Sequence, residues 1–142
     1  MTINIMYHDK EIENMQLERH GDWIDVRAAE TVEMKAGDFK VISLGFSAQL
    51  PAGYEAHLAS RSSTFKKWGI LQTNAVGIID EAYCGENDVW GFAAYAVRDT
   101  IINKGDRIAQ FRLVKKMSEV DLVSVDHLNG ESRGGFGSTG SN

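Results

Sequence analysis

The chain has 142 residues, the size of one domain, and its 43% hydrophobic and 25% charged residues exclude a disordered protein. A formal charge of -5 speaks against a nucleic-acid duplex as partner, because proteins that bind one present a basic face. The single cysteine, Cys84, excludes an intramolecular disulfide framework. No apolar run approaches the ~20 residues that cross a bilayer and no signal peptide opens the chain, so a cytoplasmic protein with no membrane role is expected.

Two-residue alternation, not helical periodicity, dominates the chain in order. Strand-like runs fall at residues 3–6, 23–26, 32–34 and 39–42. Leu44, Phe46, Ala48 and Leu50 then alternate with Gly45, Ser47 and Gln49. Pro51-Ala52-Gly53 turns the chain and Tyr54, Ala56 and Leu58 resume the period, which predicts a hairpin. The one expected helix begins at Ser62 or Ser63, with a serine capping its start, and ends at Trp68 before Gly69. Further strands are expected at 76–79, 90–97, 108–114 and 121–125, separated by Gly-, Asn- and Asp-rich turns. Residues 9–20 carry no motif. The pattern predicts an all-β sandwich, jelly roll or barrel with one short helix.

Composition changes once, after Leu128. From there Phe136 is the one large apolar residue among glycines, serines and threonines, too little to order the stretch by burial. The expected organisation is one domain, 1–142, whose residues 129–142 form a mobile C-terminal arm. Glycines let backbone N–H groups converge on an anion, Arg133, Ser138 and Thr139 add donors, and Phe136 is suited to stack on a base.

Three further places carry chemistry. Ser60-Arg61-Ser62-Ser63-Thr64 puts hydroxyls and an arginine at the expected helix start, which is either an ordinary cap or an anion site. Asp80 directly follows an apolar run in Asn74-Ala75-Val76-Gly77-Ile78-Ile79-Asp80-Glu81-Ala82-Tyr83. It is a turn aspartate or a base able to take a proton from water. In Lys104-Gly105-Asp106-Arg107-Ile108-Ala109-Gln110, Asp106 and Arg107 read as a structural pair, and Gln110 faces the core or a ligand. Asp25 interrupts a strand-like run, as a carboxylate near a metal or on a wet face. The four histidines lack metal-ligand spacing, and neither a Walker loop nor a dinucleotide fingerprint is present.

In this order, these segments resemble the five motifs of the homotrimeric dUTP diphosphatase (dUTPase) family, over residues 23–140 and in its bacterial and phage form. The resemblance implies a jelly-roll-like β-barrel, assembled as a homotrimer with shared active sites. It implies hydrolysis of dUTP to dUMP and pyrophosphate, which limits uracil in DNA and supplies dUMP for dTMP synthesis. By the same resemblance Asp80 activates water for attack at the α-phosphorus, and Asp25 holds, through water, a Mg2+ carried by the triphosphate. Arg61, Ser62, Ser63, Gln110, Arg133, Ser138 and Thr139 would grip phosphates. Asn74 and Gly77 would meet uracil on a hairpin spanning 74–90, Tyr83 would pack on deoxyribose, and Phe136 would close over the base, with Trp90 or Phe92 as candidates to share that lid role. Arg133 runs directly into Gly134-Gly135-Phe136, whereas the family's usual fifth motif separates its Arg-Gly and Gly-aromatic pairs by two residues. Ser60 stands where a proline commonly precedes the second motif's arginine. The alternatives are a dCTP deaminase of related fold and a phage-type trimer that binds a regulatory protein.

Overall fold

Alternation becomes architecture through burial: every second side chain of most strands closes on one core. The computed structural model describes residues 1–137. Its longest sheet has five strands in the order β2-β3-β12-β7-β9, from Glu18–His20, Trp23–Arg27, Arg107–Lys115, Tyr54–Ser60 and Gly77–Ile79. A three-stranded sheet orders β5 (Phe39–Ser43), β10 (Gly91–Ala96) and β8 (Ile70–Gln72). Two smaller sheets pair β1 (Asn4–Tyr7) with β6 (Phe46–Gln49) and β4 (Val32–Met34) with β11 (Thr100–Ile102). All pairings are antiparallel, giving an all-β, jelly-roll-like fold.

The core is anchored by a chain of aromatic rings. Phe46 and Trp90 have centroids 4.9 Å apart, and Phe111 meets Trp90 edge-on at 5.0 Å. These rings come from β6, the residue before β10, and β12, so they tie three sheets together.

The hairpin expected across Pro51–Gly53 does not form. The turn exists, with Gly53 at φ +84, but β6 pairs with β1 while β7 pairs with β12 and β9. Alternation fixes which face is buried and leaves the hydrogen-bonding partner open. The run at 121–125 is not a strand either. Leu122 is 94% exposed and the run pairs with no strand among the described residues; an unpaired strand has no ladder to hold it.

Two helices are present among the described residues. In α2 (Thr64–Trp68) the expected serine cap is absent: Ser63 makes no side-chain cap bond. Thr64 does the local work, its hydroxyl accepting from the Arg61 N–H at 2.9 Å and donating to the Ile108 carbonyl at 2.8 Å. Gly69 ends the helix in the left-handed conformation, as expected. The first helix, α1 (Lys10–Met15), is unforeseen because Ile12 is its only buried residue, too few to mark a period. The Asp9 carboxylate caps it, accepting from the N–H groups of Glu11 and Ile12, and also pairs with Lys104 at 2.7 Å.

Candidate active site

The five-stranded sheet positions two separate groups of the sequence-selected residues. At one end Asp25 on β3 stands in register with Gln110 on β12, and Gln110 with Ala59 on β7. Arg61 follows β7 directly. Its Nε lies 3.2 Å from Asp25 Oδ1, and its Nη1 donates to the Arg107 carbonyl at 3.1 Å. Gln110 donates through Nε2 to the Ser60 carbonyl at 3.2 Å. Ser62 is exposed and Ser63 half-buried at the mouth of this group.

Asp25 is 4% exposed, which overturns the wet-face reading. Burial of a carboxylate is costly unless cations and donors surround it, and here Arg61 and Arg107 do so. The pairing expected between Asp106 and Arg107 is absent. Asp106 accepts from the Asn103 N–H within its own turn, while Arg107 reaches Asp25 at 3.5 Å and Glu18 at 3.9 Å. Glu18 and His20, on the unforeseen strand β2, complete the surround, with His20 Nε2 3.1 Å from Glu18 and 3.8 Å from Asp25. The His20 imidazole first, and the Arg107 guanidinium after it, hold the Glu18 carboxyl below its usual range. Arg61 and Arg107 are remote in sequence, and Glu18 and His20, though near, reach Asp25 only through the β2–β3 pairing.

No group of three or more metal-binding side chains exists among the described residues. Asp25 Oδ2, however, is buried with no hydrogen-bond donor. That oxygen faces Arg107 Nη1 at 3.5 Å and His20 Nε2 at 3.8 Å without a hydrogen bond to either, which leaves an acceptor fit for a water held on an ion.

At the other end, Asp80 lies one residue past β9. Ile79 turns inward and Asp80 outward, exposed to solvent. Asn74, Gly77, Asp80 and Tyr83 together line a cavity of about 330 Å³, walled also by Val41 and Trp90. The Asp80 carbonyl accepts from the Tyr83 N–H at 3.0 Å, and the Tyr83 hydroxyl donates to the Val89 carbonyl at 3.2 Å. Gly77 is needed for packing as well as for access, because a Cβ there would lie 3.3 Å from Leu58 Cβ. Residues 74–90 are not a paired hairpin: β9 bonds to β7, and the chain then crosses to β10 in another sheet. Trp90 and Phe92 are buried in the core, so neither serves as a lid.

The two groups cannot meet within one chain. Ile79 faces Ala56, so Asp80 lies level with Glu55, and Arg61 is about 20 Å further along β7 at ~3.3 Å per residue. Arg133 and Phe136 are exposed, and Ser138 and Thr139 lie outside the described residues. No helix among the described residues is long and apolar enough to cross a membrane.

Guanidinium groups beside an open acceptor, and a cavity headed by a reachable carboxylate, are the parts of a phosphate-ester or nucleotide hydrolase. The dUTPase family model matches residues 12–140, and the chain belongs to that family. It is 55% identical over 140 residues to the SPbeta prophage-derived deoxyuridine 5'-triphosphate nucleotidohydrolase YosS of Bacillus subtilis, covering 99% of each chain. It is 39% identical over 118 residues to the deoxyuridine 5'-triphosphate nucleotidohydrolase of Saccharomyces cerevisiae, covering 82% of this chain and 78% of that protein. In fold it is similar to the dUTPase of Staphylococcus bacteriophage 80alpha solved with dUpNHpp, with a TM-score of 0.79 at 23% identity over 99% of both chains. A dUTPase from phage phi11 of S. aureus, solved to show coordination of a structural Mg(II) ion, matches with a TM-score of 0.76 at 21% identity, over 89% of this chain and 98% of that one.

Proposed function

We propose that this enzyme hydrolyses dUTP to dUMP and pyrophosphate in sites assembled from three copies of the chain. The observation that carries the shared site is the separation of Asp80 from Arg61. A general base acts within hydrogen-bond reach of the proton it takes, or through one water. Two groups about 20 Å apart along one strand therefore cannot serve one α-phosphate, and a neighbouring copy must bring the second. An exposed apolar row across the three-stranded sheet, Phe39–Tyr95–Leu71 in register with Val41 beside it, supports burial against another copy.

In this reading Asp80 of one copy accepts a proton from the attacking water, and Arg61, Ser62, Ser63 and Gln110 of another hold the phosphates. Asp25 would hold a water of a Mg2+ ion carried by the triphosphate, and that ion would neutralise charge on the phosphate oxygens. The chain's own task is then to align water, phosphorus and leaving group. Asn74 and the backbone at Gly77 would read the uracil edge, and Tyr83 would pack on the deoxyribose. The arm, 129–142, would close with Phe136 over the base and with Arg133, Ser138 and Thr139 on the phosphates. A stretch from Glu131 to Asn142 spans at most about 40 Å when extended, enough to reach a neighbour.

The test is a panel of deoxynucleoside triphosphates with Mg2+. Pyrophosphate from dUTP alone is expected, and ammonia from dCTP would identify a deaminase instead. A chain ending at Leu128 tests the arm: it should fold and assemble but turn over slowly, and normal turnover would remove the arm from the mechanism.

A further inference from the structure

We propose that Glu81 is a positioning residue that fixes Asp80 to the Gly53 turn and to Lys116, where the chain leaves the five-stranded sheet. The proposal rests on the reading of Asp80 as the base. Strand β9 has three residues and a partner on one side only, and its ladder ends at Ile79 opposite Ala56. Asp80 stands just beyond, where no ladder bond holds the chain and an edge strand would fray. Glu81 supplies the missing anchor. Its Oε1 accepts from the Gly53 N–H at 2.7 Å and its Oε2 accepts from Lys116 Nζ at 3.1 Å.

Lys116 is the first residue after β12, where the chain leaves the sheet for the segment that ends in the arm. Its own N–H donates to the Gly53 carbonyl at 2.9 Å. Gly53, in a left-handed turn, thus gives its N–H to Glu81 and its C=O to Lys116, so three distant segments meet at one residue. The Gly53 N–H first, and Lys116 second, hold the Glu81 carboxyl below its usual range. Asp80, Glu81 and Lys116 also line one cavity with Glu55 and Ala82, which places the exit of the chain from β12 beside the base. An exposed ion pair alone contributes little to stability. Two bonds from one carboxylate onto a turn and a strand end set geometry instead, and small misplacements near reacting atoms cost rate steeply.

The test compares E81A, E81Q and K116M in the full-length chain with Mg2+ and dUTP. Turnover by E81A is expected to fall about tenfold with KM changed less than about twofold. E81Q should recover part of that loss, because its amide oxygen still accepts from Gly53. The E81Q/K116M double variant should be no slower than the slower single one, since both act on one contact. Wild-type kcat in E81A, or losses that simply track melting of the assembly, would overturn the proposal. Hydrogen exchange reads the clamp without activity: E81A should speed exchange at the amides of Tyr83 and Lys116 together, and unchanged exchange at both would also overturn it. A wild-type chain that releases no pyrophosphate from dUTP would instead refute the functional reading, with the exchange result still deciding the clamp.

Discussion

Arg61 Nε stands 3.2 Å from Asp25 Oδ1, in a pair whose carboxylate is almost wholly buried and whose second oxygen has no donor. The guanidinium has two duties there, since its Nη1 also binds the Arg107 carbonyl. A lysine offers a point charge and no fork. Arg61→Lys is therefore expected to lower kcat/KM for dUTP about 100-fold, the scale of losing one preorganised donor. Arg61→Ala should also destabilise the fold by about 2 kcal/mol in denaturant titrations. That is less than the usual cost of breaking a buried pair, because Arg107 still faces Asp25. Asp25→Asn should raise the Mg2+ concentration needed for half-maximal turnover.

If Asp80 and Arg61 serve one site from different copies, inactive variants should complement each other. Denaturing and reassembling Asp80→Asn chains with Arg61→Ala chains in equal amounts gives hybrid sites that combine an intact Asp80 with an intact Arg61. Random assembly in a closed ring makes about a quarter of sites intact, so about a quarter of wild-type turnover is expected. No gain on mixing would place the whole site within one chain.

The Asp9–Lys104 pair makes stability depend on pH in a defined sense. The Lys104 ammonium, with the α1 N–H groups, holds the Asp9 carboxyl below its usual range, and Asp9 raises the Lys104 ammonium above its own. The Asp9 contribution is present above the ordinary carboxyl range and is lost as pH falls through the depressed value. The Lys104 contribution is present below the ordinary lysine range and is lost as pH rises through the elevated value. Asp9→Asn keeps a capping oxygen but loses the charge. Its Tm deficit should be full from about pH 5 to about pH 9 and close towards acid, as thermal melts across pH will read.

Trp90 sits between Phe46 and Phe111 and joins three sheets, with its indole N–H buried and unpartnered. Trp90→Ala should cost about 3–5 kcal/mol in chemical denaturation, the usual range for an aromatic removed from a core. Trp90→Phe should cost less, because it keeps a ring in the stack and removes a buried N–H that has no acceptor.

What the sequence disclosed follows from how local each signal is. Asn74, Gly77, Asp80 and Tyr83 lie within one short stretch, and the structure gathers them around one cavity. Arg107 and Glu18 were illegible as partners of Asp25, because strand register brings them there and no local pattern encodes register. The same reason explains the hairpin across Pro51–Gly53, where alternation is real and the pairing is not. Apolar residues at 121–125 promised a strand, yet the run pairs with no strand among the described residues, and alternation alone names no ladder partner. Trp90 and Phe92 looked like lid residues from their position after Asp80, while their burial ties them to the core.

If Asp80 is the base for dUTP hydrolysis, single-turnover pyrophosphate release by Asp80→Asn decides it. Hydrolysis should be lost while dUTP binding stays within a few-fold of wild type, because the grips at Arg61 and Gln110 remain. Wild-type turnover by Asp80→Asn would contradict it and place the base elsewhere.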